Sequence, residues 1–197
     1  MKKVLLGLLL SATLLGGTAV TANAADTADT TTSNSTGDVT FTGGDLTLDA
    51  SEAGLDFGTH QITAGSDTFA NTAKTTVSVA DLRGTGDGWN LTVVQGGQFR
   101  NADGKALTGA VITLSGSLTS DSTNRPTFPN SDPGVDLNAD AGDNHALMTA
   151  AGDQGLGTSS MNYVASKLTI PASAARYVGS AYTTTLTWNL GNTPTNK

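Results

Sequence analysis

The chain has two tryptophans, and each opens the same tripeptide: Trp89-Asn90-Leu91 and Trp188-Asn189-Leu190. These residues are the best suited to recognition chemistry. An indole presents a flat apolar face that suits a sugar ring, and an asparagine amide both donates and accepts hydrogen bonds. In a strand, residues two apart point the same way. Each Trp then shares a face with its Leu, and Asn90 and Asn189 point oppositely. Two uses follow. Either the indoles pack a core, each burying up to ~250 Å², or the indoles, or the amides behind them, form a shared binding patch. Both can hold in part, with buried tryptophans shaping a groove nearby.

Catalytic chemistry is poorly served. His60 and His145 are the only histidines, and His145 falls in a polar stretch where a solvated position is expected. There is no Gly-x-Ser-x-Gly elbow, no His-Glu-x-x-His pair, no phosphate loop and no dinucleotide fingerprint. Sixteen aspartates stand beside a single glutamate, Glu52, so carboxylate pairs suited to glycoside hydrolysis would arise by accident and in number. An enzyme is not expected. The absence of cysteine excludes disulfides and thiolate metal sites. Asp136, Asn138 and Asp140 alternate as in a calcium loop, but the glycine comes one place late, at Gly142, and the twelfth position is Leu147. The stretch is an irregular calcium site or, more simply, a solvated loop. No other cofactor is implied.

The elements that must carry these residues are strands. Thr, Gly, Ser, Asn and Asp are abundant, Glu and Lys are scarce, and alanine shows no helical period. Lys2 and Lys3, the apolar run Val4 to Leu15 and the small residues Ala22-Asn23-Ala24 predict a secretory signal peptide over residues 1–24. The run is shorter than the ~20 residues of a spanning helix. Residues 25–37, rich in Thr, Ser and Asp, read as a disordered leader, and residues 38–197 as one domain. The formal net charge is −7 and becomes −9 without Lys2 and Lys3. With no basic stripe, nucleic acid is not an expected partner.

Short alternating runs then follow. Asp38–Thr42 (DVTFT), Gly43-Gly44 and Asp45–Asp49 read as a hairpin or two successive strands. Leu55–Gly58, Thr75–Leu82, Trp89–Gln95, Ala110–Leu118, Tyr163–Ile170 and Tyr182–Leu190 also read as strands, the last being the cleanest. Ser120–Asn144, with Pro126, Pro129 and Pro133, reads as a long extended loop. The fold class predicted is all-β: a β-sandwich, Ig-like or related, with long polar loops.

The paired motifs and their surroundings resemble the WxL domain of Gram-positive surface proteins, which carries one Trp-x-Leu mid-domain and a second near the C-terminus. Gly88 precedes the first motif here. Gly179 and the run from Tyr182 precede the second. A strand ending at Pro171 stands before it, and Ala150-Ala151-Gly152, Gly155 and Gly157 match the family's Gly-rich segment. The resemblance spans about Asp38 to about Thr193. It implies a secreted protein at the Gram-positive cell surface, bound non-covalently to the wall with peptidoglycan as the ligand. It also implies membrane-anchored or other surface proteins as partners. The sequence contains no Leu-Pro-any-Thr-Gly signal, so retention is expected to be non-covalent or absent. The alternatives are an interaction subunit that reaches the wall through a membrane-anchored partner, or an adhesin for host matrix or glycans.

Overall fold

A computed structural model describes residues 31–128, 134–139 and 142–192. The chain divides into two units, Met1–Val39 and Thr40–Lys197. In the first, the described residues are exposed and form no strand. Among the described residues the second holds eleven strands: β1 (Leu46–Asp49), β2 (Asp67–Ala70), β3 (Thr76–Asp81), β4 (Trp89–Gln95), β5 (Val111–Leu114), β6 (Ser117–Ser120), β7 (Val135–Leu137), β8 (His145–Ala150), β9 (Gly157–Asn162), β10 (Lys167–Ile170) and β11 (Leu186–Gly191). They form three antiparallel sheets, ordered β1-β3-β9-β6, β2-β10-β5-β7 and β11-β4-β8. The architecture is all-β and sandwich-like. No helix among the described residues is long and apolar enough to cross a membrane.

The core follows the period-two patterns. Val77 and Val79 of β3, Trp89, Leu91 and Val93 of β4, and Met161 of β9 have no exposed surface. β8 departs from strict alternation. Leu91 pairs with Met148 and Thr92 with Ala146, leaving Leu147 as an extra residue. This bulge lets the adjacent Leu147 and Met148 both be buried. It explains why HALMTA did not read as a strand, and why His145, expected in a solvated loop, instead opens β8 half-buried.

Several expected strands differ. The run Ala110–Leu118 becomes two strands in two sheets. Gly116 approaches the Asn162 carbonyl so closely that no Cβ would fit, and the chain changes direction there. Asp38–Thr42 is not a strand. The Gly44 N–H donates to the Leu82 carbonyl (2.8 Å) and the Asp45 carbonyl accepts from the Leu82 N–H (3.1 Å), so the glycines lengthen the β1–β3 ladder instead of turning a hairpin. Val39 and Phe41 are left 76 % and 87 % exposed. Leu55–Gly58 is also not a strand, and the long loop from Ser120 contains β7.

A buried ion pair ties β3 to the start of β4. The Arg83 guanidinium donates from Nε to Asp81 Oδ1 (2.9 Å) and from Nη2 to Oδ2 (2.8 Å), and Nη2 also donates to the Asp87 carbonyl (2.8 Å). The Arg83 bonds to the carboxylate hold Asp81 below its ordinary pKa against the opposing effect of burial. A depressed folded-state pKa contributes stability that is complete above the unfolded value. It is lost as pH falls through the folded value. The wild type is therefore expected to lose melting temperature steeply below about pH 4. Asp81→Asn should start lower at neutral pH and lose less on acidification, which thermal unfolding at both pH values reads directly.

Candidate functional site

The two Trp-Asn-Leu motifs lie on neighbouring antiparallel strands. Leu91 of β4 stands opposite Leu190 of β11, Val93 opposite Trp188, Thr92 opposite Asn189 and Asn90 opposite Gly191. All four apolar motif residues therefore face the core side of one sheet. The register also separates the indoles: Trp89 and Trp188 sit four positions apart along the ladder, ~14 Å. They do not form a shared stacking patch.

Their environments differ too. Trp89 has no exposed surface, and its Nε1 donates to the Gly155 carbonyl at 3.3 Å. Gly155 has φ +68°, and a Cβ there would come within 2.8 Å of Nε1 and 2.9 Å of Ala150 Cβ. The glycine-rich segment before β9 is thus the cradle of this indole. Trp188 is half-buried. Its ring lies 5.7 Å from that of Tyr163, tilted by 40°. Tyr163 is wholly buried, and burial pushes its phenol pKa up.

On the opposite face of this sheet the register brings the amides together. Asn90 faces Gly191, and Asn189 is two residues before Gly191, so the two asparagines are diagonal neighbours about 7–8 Å apart. Thr149 of β8 flanks Asn90 on its other side, and Thr127 extends that row through two backbone bonds to Thr149. Thr185, just before β11, and Thr187 and Asn189 on it are exposed, while Thr92 is buried among them. The result is an array of amides and hydroxyls. It can hydrogen-bond an extended, neutral, hydroxyl- or amide-bearing polymer at several points.

A groove that sequence reasoning missed lies elsewhere in this unit. It has a volume of about 1100 Å³, above the roughly 300–1,000 Å³ of small-molecule sites. The segment around Phe57 and His60 forms one wall, Trp188 and the residues before β11 form another, and Ile62 and Val178 are exposed at it. His60 stacks on Phe69 with ring centroids 3.8 Å apart. Two of the groove's charged groups are paired, Arg176 Nη2 lying 3.3 Å from Asp67 Oδ2 and donating to the Gly65 carbonyl at 2.9 Å, while Asp56 accepts from the Gly58 N–H at 2.9 Å. Apolar residues inside turn-rich segments, Ile62 and Val178, were the available signal. They stayed silent because isolated apolar loop residues are ordinary.

Of the candidate calcium residues, two fall among the described residues. Asp136 lies on β7 and accepts a 2.6 Å bond from the Thr113 hydroxyl, Asn138 follows that strand, and Asp140 lies outside the described residues. Among the described residues no cluster of three His, Asp or Glu side chains could hold a metal.

A family model for the WxL domain, described as surface cell wall-binding, matches residues 20–194. No curated protein and no solved structure matches the chain.

Proposed function

The chain belongs to the WxL family of surface cell wall-binding domains, and from that premise we propose that its ligand is peptidoglycan, held non-covalently by the amide and hydroxyl face of the β11-β4-β8 sheet. One observation carries this: the two motifs pair so that both tryptophans and leucines turn inward while Asn90 and Asn189 meet on the outer face. The Trp-Leu pairs build the platform, and the middle residues present the contacts. A row of exposed Thr and Asn at strand spacing suits a repeating polymer better than a compact substrate. The role is one of binding, with no catalytic step assigned to any residue.

The acidic chain gains no long-range attraction from an anionic wall, so short-range hydrogen bonds must supply the affinity. Each net bond contributes about 0.5–1.5 kcal/mol. Asn90→Ala with Asn189→Ala is therefore expected to weaken binding to purified sacculi, stripped of protein and teichoic acid, by roughly ten- to a hundredfold. Circular dichroism and melting temperature should stay close to wild type. Full binding by the folded double variant would remove this face from the site. If the folded wild type failed to bind stripped sacculi, the wall contact would pass to a partner protein.

A further inference from the structure

Among the described residues the groove is bordered by two free strand edges. β2 is the outer strand of its sheet and β11 of its own. Between them, Phe69 of β2, Leu186 and Trp188 of β11, and the deeper Phe99, Ile112 and Leu168 all line one cleft. Apolar residues from two sheets thus reach a gap between two unpaired edges, which is the shape left where one strand is missing.

The β11 edge is chemically open. Thr183 exchanges two 2.9 Å backbone bonds with Arg100, and the Thr185 carbonyl accepts from the Gly96 N–H at 2.9 Å. By the two-residue period of an antiparallel ladder, the backbone groups of Thr184, Leu186, Trp188 and Leu190 then point to the free side. The strand LTWNLG carries no charge, proline or bulge against β4, the devices that normally keep an edge from pairing.

The matching strand is in the same sequence. Asp38–Thr42 alternates Val39 and Phe41 with polar residues, and both apolar side chains stand in solvent. Five residues span ~17 Å against ~20 Å for the six of β11. Within one chain only Gly43 separates the segment from Gly44, whose N–H is held by the Leu82 carbonyl, and Ala50, the first groove-lining residue along the chain, lies past the far end of β1. Folding back would need a turn where the ladder already runs.

We propose that Asp38–Thr42 of one copy adds as a strand to β11 of a second copy, turning Val39 and Phe41 into the groove. Each copy then carries one donor and one acceptor. The contact is head-to-tail, so copies link into a ring or a filament according to the rotation between them, and it rests on main-chain hydrogen bonds with apolar side chains for register. Linked copies present several sheet faces at once, which raises avidity for a repeating polymer.

The test uses the chain from Ala25 onward, the expected processed form, in sedimentation-equilibrium runs from micromolar to millimolar concentration. Wild type is expected to form concentration-dependent oligomers. Val39→Asp with Phe41→Asp removes the donor, and Val178→Asp, at an exposed groove position, disables the acceptor. Each variant alone should be monomeric with an unchanged circular dichroism spectrum, its self-association weakened by roughly two orders of magnitude. Mixed together they should form a dimer and stop, because one working donor and one working acceptor remain. A wild type that stays monomeric at every concentration overturns the proposal. So does association that survives both variants, or a mixture that fails to pair.

Discussion

Trp89→Ala is expected to lower folding stability by about 3–5 kcal/mol, enough to leave a typical domain marginal or unfolded. The side chain has no exposed surface and packs within the same core as Leu91 and Val93. Its removal leaves a large cavity and orphans the Gly155 carbonyl that now accepts the Nε1 bond. Ala150 and Gly155 lie against the ring and are too small to fill the space. Urea denaturation followed by circular dichroism reads the loss. Sacculus binding by this variant should fall only as far as the folded fraction falls. A folded Trp89→Ala protein that lost binding beyond its folded fraction would show that the indole shapes the binding face and does more than stabilise the fold.

Trp188 should behave differently under the same substitution. It is half-buried, stands against Tyr163 and lines the groove. Truncation there removes part of a wall, and solvent can enter the space. Identical tripeptides thus carry unequal weight, and the reason is topological: β4 has neighbours on both sides, whereas β11 is an edge.

That asymmetry also marks what could be read from residue order. The alternation of β4 and β11 was visible, because period two survives wherever one face is buried. So was the split of each motif into Trp and Leu on one face and Asn on the other, though not which face is buried. The pairing of the two strands was not visible, since register between segments nearly a whole domain apart depends on tertiary packing. The groove was invisible for the same reason: its walls come from loops and edges distant in sequence. Asp38–Thr42 misled in an informative way. Its pattern is a strand's, but a strand needs a partner, and among the described residues none is supplied. β9, with Ser159 and Ser160 in GTSSMN, failed to read as a strand because its hydroxyls pair across the sheet, Ser78 with Ser160 at 2.8 Å and Ser120 with Ser159 at 2.8 Å. Hydroxyl pairs stabilise a ladder without leaving an apolar trace.

Gly155→Ala should be almost as damaging as loss of the indole it holds. Gly155 has φ +68°, a conformation that costs a residue with a Cβ about 1–2 kcal/mol. The added methyl would meet the indole at 2.8 and 2.9 Å and Ala150 Cβ at 2.9 Å. None of these can yield cheaply: one is a ring locked in the core, the other a backbone-fixed methyl. Overpacking of this kind costs about 1–3 kcal/mol, so the expected loss is about 2–5 kcal/mol in total. The two contributions can be separated. With Trp89→Ala in the background, the indole clash disappears and mainly the backbone term should remain. The double variant should then be more stable than the sum of the single losses by about 1–3 kcal/mol. Strict additivity would mean that the strain lies in the backbone alone, and that Gly155 is required for the turn before β9 whether or not a tryptophan rests on it.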